Sequence, residues 1–598
     1  MKKIGLNILF VLVIGQIFAY HKYGISEDTI NIVRQSFDDV WNFRGGEGVD
    51  SLWMSPDYND SQWLKVSSLK LLKDQNAITD NGFGWYRKKI QLTDSLKNSI
   101  KETGAIMLHL GRLAAADEVY FNGKLIGKTG EFPHDYKGYF DNERNYLVSE
   151  EYINLDGNNL IAIKMHDGWG VGGFLGGNRL ALSTANTNDK LTLYIDVKDQ
   201  DYIFMSTDPI TIKVNLRNGN KWKIDGKLIV KLTTDDYMPI KSDSLEILVD
   251  ELGVYTQSFE YTDPKPGFYR YTVQYIRNRQ LACEKKFNVG YEPEKISSPI
   301  DTKNDFEAFW KNSLLELKKV EPGYKLILQP EYSKLDYDVY LVEMYSFGND
   351  LIQGYYAKPK REGKHPVIVE YMGYGSSPYP PNQWWDGFAH FVLSIRGQAL
   401  NQPNNKYGTW ITYGLDKKED YYYRGAYMDV VRALDFVCSR PEIDAEKIAV
   451  RGGSQGGALS FVAAALDKRV KVAAPTIPFL SDFPDYFKIG SWPKSDFDIY
   501  MENHPGVNWN DIYNLLTYFD IKNLAQWIEC PLIMGIGVQD EVCPPHINFA
   551  AYNQVRSEKC WLAFPEFGHS VGRAYNDAAK SFIKEKLNIQ ITENTSYK

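Results

Sequence analysis

The run Gly452-Gly453-Ser454-Gln455-Gly456 constrains this chain more than any other feature. It stands between the β-patterned residues Lys447-Ile448-Ala449-Val450 and an alanine-rich stretch, residues 458–466, whose composition favours helix. A chain that leaves a strand and enters a helix within so few residues must turn sharply, and glycines on both sides of the serine permit it. The turn exposes the Ser454 hydroxyl at the amino end of a helix, where backbone dipoles favour developing negative charge. The bare five-residue pattern arises by chance in many glycine-rich chains, so the strand before it and the helix after it carry the reading.

From about residue 300 to the end, strand patterns alternate with longer helical ones, as in a mostly parallel sheet with helices on both faces. Residues 367–369, 391–395, 447–450, 470–474, 531–536 and 561–564 read as strands, and 426–438 as a helix with Val430, Leu434 and Val437 on one face. Ligands of such sheets bind at the carboxyl ends of the strands. Two titratable residues fall there: Asp540, just after residues 531–537, and His569, in Glu566-Phe567-Gly568-His569. A serine hydroxyl needs a base to take its proton, and the base needs an acid to fix its tautomer, so Ser454, His569 and Asp540 form a candidate nucleophile, base and acid. Glu541 competes for the acid role and His546, after Pro544-Pro545, for the base.

Upstream, residues 20–184 show short alternating stretches broken by Gly, Asn and Asp, which predicts an all-β sandwich. Trp85, Trp169 and Tyr120 could stack on sugar rings or fill the core of that sandwich, and core packing is the better-supported alternative. In residues 190–289, Ile210, Ile212, Val214 and Leu216 alternate with Thr211, Lys213 and Asn215, and turn signals stand at Asn218-Gly219, Asp225-Gly226 and Pro266-Gly267, predicting a second sandwich of immunoglobulin-like size. The prolines and small polar residues of 291–299 read as a linker. Separate cores are therefore expected, with the segment from about Ser297 folding by itself.

At the amino end, Lys2 and Lys3 precede the apolar residues 4–18, and Ala19 is a small residue ahead of a cleavage point, the pattern of an export signal; the run is short for a membrane anchor. No second long apolar run follows, so no integral span is expected after signal removal, and the protein is expected in the periplasm or outside the cell. A formal charge of -8 offers no field for nucleic acid or anionic membrane. Five cysteines without repeated spacing suggest mostly buried thiols rather than a disulfide framework, and no histidine or cysteine pattern suggests a metal, so neither a metal nor another cofactor is expected.

Two resemblances sharpen this. Trp41-Asn42-Phe43-Arg44, Trp85-Tyr86-Arg87, Asp117 through Gly123 and the glycine-rich residues 168–177 together resemble the jelly-roll, galactose-binding-like domain of family-two glycoside hydrolases. Arg396-Gly397-Gln398, Gly452 through Gly457, Tyr518-Phe519-Asp520, Asp540 with Cys543-Pro544-Pro545, and Gly568-His569 resemble the acetyl xylan esterase and cephalosporin-C deacetylase family. The architecture implied is multidomain: a signal peptide at 1–19, two all-β sandwiches at 20–186 and 187–292, and an α/β-hydrolase domain at 296–590. The activity implied is removal of O-acetyl groups from carbohydrate, with an acetylated glycan as partner. By this resemblance the backbone N–H groups of Tyr374 and Gln455 form the oxyanion hole, and Arg396, Gly397 and Gln398 brace the site. The family's tendency to assemble leaves a homo-oligomer open for a chain with two added domains. One departure is Ser570, where the family commonly has an acidic residue after the histidine. Two other readings stay open. A prolyl peptidase shares the triad geometry, but residues 20–295 hold no blade-length repeat. A carbohydrate-binding protein with an inactive hydrolase domain would not need all three residues.

Overall fold

The computed structural model describes residues 32–589, apart from 78, 80–81, 114–115, 134–142, 168–172, 176–179, 206–207 and 382–386. Trp169, most of the glycine-rich residues 168–177, the signal pattern, and Trp384 and Trp385, which follow Tyr374 in the sequence closely enough to narrow an acyl pocket, lie outside the described residues.

The amino-terminal unit has a six-stranded and a four-stranded sheet. Both supply one core: Trp41, Phe43, Tyr86 and Ile163 come from the larger sheet, and Ile106, Leu108, Val148 and Leu182 from the smaller. Trp85 is fully buried, packs against Tyr120 with ring centroids 5.8 Å apart, and donates its indole N–H to the Glu47 carbonyl at 2.9 Å. These rings fill space between elements.

The next unit has a three-stranded sheet and a five-stranded sheet, the latter built around the strands Gly267–Arg277 and Gln280–Tyr291. Ile210, Ile212, Val214 and Leu216 are all fully buried on one face of their strand. Asp225-Gly226, expected as a turn, lies inside the strand Ile224–Thr234 instead. A Cβ at Gly226 would stand 2.6 Å from the Ile276 carbonyl oxygen and 2.7 Å from the Tyr275 hydroxyl, so this glycine serves cross-strand packing.

The carboxy-terminal unit is a nine-stranded sheet. In chain order its strands are β1 Lys325–Leu328, β2 Tyr337–Tyr345, β3 Leu351–Pro359, β4 His365–Tyr371, β5 Ala389–Ser394, β6 Ile443–Gly453, β7 Val472–Thr476, β8 Leu532–Gly537 and β9 Lys559–Phe564. The spatial order is β1-β2-β3-β5-β4-β6-β7-β8-β9; pairs up to β3–β5 are antiparallel and the rest parallel. Helix α1, Tyr422–Cys438, is buried nearly all round rather than along a stripe, which is why its hydrophobic face is hard to read from periodicity. Helix α2, Gln455–Leu466, follows β6 directly and lies over it and β7. Beyond β7 come the helices Phe483–Ile489, Lys494–Asn503, Trp509–Leu516 and Ile521–Ala525, then Pro545–Tyr552 after β8. All five cysteines are free, but only Cys530 and Cys543 are buried, so the expectation of mostly buried thiols is corrected; Cys560 is exposed on the outermost strand β9.

The junction is not a loose linker. Asn553 donates to the carbonyls of Pro293 and Ile296, at 3.1 and 3.2 Å, and Gln554 to that of Ser298 at 2.8 Å. Nor are the cores separate, because Ile203 and Phe268 of the second unit sit in the same apolar cluster as Ile296, Phe549 and the interior of the nine-stranded sheet. Beside Phe268 the His546 Nδ1 lies 2.8 Å from Asp235 Oδ2 of the second unit, and its Nε2 lies 3.6 Å from Asp485 Oδ2. Burial works against the charged imidazole, but Asp235, Asp485 and Asp482 outweigh it and hold His546 up at about 10.

A raised imidazole stabilises the fold fully below its ordinary value of 6.5 and loses that contribution as pH rises through about 10. Asp235→Asn should therefore cost about 2 kcal/mol at pH 6.5 and progressively less towards pH 10.5, read as the difference in Tm from the parent chain. A difference that stays constant over that range would exclude the charged pair as its source.

Candidate active site

Ser454 joins β6 to α2 with φ 58° and ψ −120°, a conformation that costs about 1–3 kcal/mol for a residue with a side chain. Its N–H donates to the Thr476 carbonyl at 3.1 Å, and its carbonyl accepts from Ala458 at 3.0 Å and Phe479 at 3.1 Å. The flanking glycines let the turn pack: a Cβ at Gly456 would lie 1.9 Å from the Tyr371 carbonyl oxygen, and one at Gly457 2.4 Å from that of Thr476. Helix α2 thus seats directly on the carboxyl ends of β4 and β7.

Asp540 and His569 follow β8 and β9. Asp540 is fully buried; its Oδ1 accepts the N–H groups of Val542 and Cys543, both at 2.8 Å, and His569 Nδ1 lies 2.9 Å from Oδ2 and 3.1 Å from Oδ1. Three donors fix the carboxylate, which in turn orients an imidazole whose side chain stays 31% exposed to solvent and so open to substrate. The two loops touch through backbone: Val538 N–H donates to Phe564 O at 3.1 Å and Gln539 N–H to Phe567 O at 2.9 Å. Gly537 is where they come closest, since a Cβ there would stand 2.0 Å from the Gly568 carbonyl oxygen. The Ser454 hydroxyl lies 3.9 Å from Cys543 Sγ, on the loop that carries Asp540. Burial and the Asp540 charge push the Cys543 thiol well up, so it offers no thiolate at this position.

The rivals stand elsewhere. Glu541 is exposed and lines a cavity of about 570 Å³ with Arg270, Lys285 and Lys286 of the second unit. His546 is held by Asp235 and Asp485, away from Asp540.

Tyr374 lies in the loop after β4, and Gln455 is the first residue of α2, whose N–H has no carbonyl within the helix to bond. Gln398 ties both together. Its Oε1 accepts from Gly375 N–H at 3.1 Å and from Gln455 Nε2 at 3.1 Å, while its Nε2 donates to Tyr422 Oη at 2.9 Å and to Gln455 Oε1 at 3.2 Å. Gly397 turns this segment with φ 69°, and a Cβ there would meet Asn405 Oδ1 at 2.7 Å. Arg396 forms a fork with Asp429, Nη2 to Oδ1 at 2.6 Å and Nε to Oδ2 at 2.9 Å, and reaches Asp350 Oδ2 at 3.0 Å. Burial disfavours the Asp350 carboxylate, but Arg396, Lys406 and Tyr407 hold its pKa below the usual range. The Tyr374 ring packs against Trp410, Trp492 and Phe479, at centroid distances of 5.1, 5.3 and 6.4 Å.

Sequence reasoning missed Asp429 and Gln539. Asp429 had a signal, a carboxylate set between apolar Met428 and Val430 in a helical stretch, where a buried charge demands a partner. Gln539 had none. The arrangement can perform acyl transfer: a serine on a strained turn, a carboxylate-held imidazole, and two loops that carry free or fixed amides on the same sheet edge.

Residues 291–587 match the family described as acetyl xylan esterase (AXE1). An acetyl esterase of Xylanibacter ruminicola is 29% identical over 351 residues, covering 54% of this chain and 76% of that protein. Among solved structures, the acetyl xylan esterase of Paenibacillus sp. R4 is 32% identical and covers 49% of this chain and 98% of its own, with a TM-score of 0.46. Acetyl xylan esterase 1 of Thermoanaerobacterium sp. JW/SL YS485 is 29% identical, covers 49% and 97%, and has a TM-score of 0.45.

A methyl group at residue 537 must push the His569 loop off β8. Gly537→Ala should lower kcat/KM by about 100-fold, because displacement of a reacting group by about 1 Å costs that much, while far-ultraviolet circular dichroism stays that of the parent chain. Parent-like activity in that variant would mean the contact does not set the position of His569.

Proposed function

Because residues 291–587 belong to the acetyl xylan esterase family, we propose that this chain is a serine carboxylesterase that removes O-acetyl groups from carbohydrate such as acetylated xylan or xylo-oligosaccharides. The observation that carries the reading is the 2.9 Å pair of His569 and buried Asp540, whose loop also brings Cys543 Sγ to 3.9 Å from the hydroxyl of the strained Ser454 turn. In this reading His569 Nε2 takes the Ser454 proton as Oγ attacks the acetyl carbonyl, and Asp540 steadies the imidazolium. The Tyr374 and Gln455 N–H groups receive the oxyanion, each contributing about 3 kcal/mol of transition-state stabilisation. The imidazolium then returns its proton to the departing sugar oxygen, leaving Ser454 acetylated. Water, deprotonated by His569, releases acetate by the same steps in reverse order.

The wider reading includes the two β-sandwich domains at 20–186 and 187–292 ahead of the hydrolase, and export directed by residues 1–19. Shared cores between paired sheets support the sandwiches. Among the described residues no helix is long and apolar enough to cross a membrane. The prolyl peptidase alternative is disfavoured by the paired β-sheets that stand where a repeated-blade propeller would.

Two measurements test this. Ser454→Ala should abolish acetate release from acetylated xylo-oligosaccharide, since only binding and the oxyanion hole would remain; near-parental release would end the serine mechanism. The aromatic wall at Tyr374 should also favour acetyl over longer esters. An open pocket would gain about 0.8 kcal/mol per buried methylene, so kcat/KM would rise from nitrophenyl acetate to butyrate. The expected order is the reverse, and Trp492→Ala should raise butyrate hydrolysis relative to acetate. Butyrate hydrolysed as well as acetate by the parent chain would remove the deacetylase assignment and leave the esterase one.

A further inference from the structure

The loop that carries Asp540 is held from outside the hydrolase unit. Gln539 Oε1 accepts the backbone N–H of Asn288 at 2.7 Å, and Gln539 Nε2 donates to the Asn288 carbonyl at 3.1 Å. Both bonds are made to the strand Gln280–Tyr291, whose opposite side at Asn288 faces Arg270, so the glutamine side chain pairs with that strand as a neighbouring backbone would. The Asn288 side chain returns a bond to the Val538 carbonyl at 3.3 Å. Gln539 Nε2 also donates to Pro565 O at 2.7 Å, and its backbone N–H to Phe567 O at 2.9 Å, both on the loop that ends in His569. A second tie reaches the same loop from the same unit, Tyr202 Oη donating to Glu566 Oε1 at 2.8 Å.

We infer that Gln539 is a positioning residue through which the second β unit holds the Asp540 and His569 loops in register. The inference rests on the triad reading proposed above. Asp540 is adjacent to Gln539 in the chain, and Phe567 lies two residues before His569, so a shift of the glutamine moves acid and base relative to each other. The bonds are part-buried and made to backbone groups that lose solvent on folding, so their loss leaves unpaired donors and acceptors at the junction. A hydrolase unit of this kind with no second β unit has nothing to pair with the glutamine, so its side chain would have to be anchored differently or left loose.

The test uses the full chain. Parent and variants are first labelled with a fluorophosphonate probe and the modified peptide identified by mass. Absence of label on Ser454 in the parent would end the triad reading and this inference with it. With Ser454 labelled, Gln539→Ala should lower kcat about 10-fold with KM nearly unchanged. Asp235→Asn weakens the same junction at His546 without touching either loop, so it should lower Tm yet keep the parent kcat and KM. Tyr202→Phe, which keeps the ring, should show the Gln539→Ala effects in the same direction and smaller. If Gln539→Ala folds with parental kcat, the inference is overturned. If Gln539→Ala does not fold, Tyr202→Phe decides, and parental values there overturn it. Equal losses in Asp235→Asn also overturn it, since they would show a general effect of the junction.

Discussion

The close seating of α2 on the ends of β4 and β7 is the constraint on which the rest of the hydrolase unit depends. It is possible only because Gly456 and Gly457 bring helix backbone to within contact of the Tyr371 and Thr476 carbonyls. That approach forces Ser454 into positive φ and points its hydroxyl off the sheet edge. The strain does not stand alone. Ile477, Leu480 and Asp482, in the segment that follows β7, also have positive φ, and Phe479 N–H in their midst donates to the Ser454 carbonyl. Such a run persists only where its surroundings over-determine it. Here buried Asp520 does much of that, accepting the N–H groups of Asp482 and Lys522, both at 3.0 Å, and of Phe483 at 3.3 Å.

On the other side of the serine turn the bracing is ionic. Arg396 is buried between Asp429 on α1 and Asp350 between β2 and β3. A buried guanidinium contributes little net stability, because its desolvation offsets the attraction to its partners. It contributes direction, since five fixed donors admit only one arrangement of the loops around it. That arrangement sets Gln398, two residues on, between the Tyr374 loop and Gln455. Gly425 completes it: a Cβ there would lie 2.2 Å from Arg396 Nη1.

How much of this was legible from sequence follows from the range of the interactions. The strands of the parallel half announce themselves by short apolar runs, and the Ser454 turn by its glycines, because those signals are local. The choice of Asp540 over Glu541 was not local. It depends on which of two adjacent carboxylates faces β9, and alternate residues of a loop leaving a strand face opposite ways. Asp225-Gly226 misled for a related reason: glycine is needed both where a chain turns and where a neighbouring ring crowds a strand, and composition alone cannot separate the two. The junction at 291–299 misled because its prolines mark irregular backbone, which is as compatible with a pinned crossing as with a free one. What pins it, Asn553 and Gln554, lies some 260 residues away.

The two β units stand in different relations to the chemistry. The first meets the second at Thr103, whose carbonyl accepts from buried Lys190 at 2.8 Å, and at the exposed pair Glu150–Lys221. Burial and the neighbouring Lys221 lower Lys190 to about 8, so that contact is held by packing over Trp222 and one hydrogen bond more than by charge. These residues lie on neither catalytic loop. The second unit, by contrast, shares an apolar core with the nine-stranded sheet and places Asn288, Tyr202 and Asp235 against β8, the His569 loop and His546. A surface that shares a core with its neighbour cannot separate without exposing it, so relative motion of the second unit and the hydrolase carries a hydrophobic cost that motion of the first unit does not. Rigidity is therefore concentrated where acid and base must hold their register.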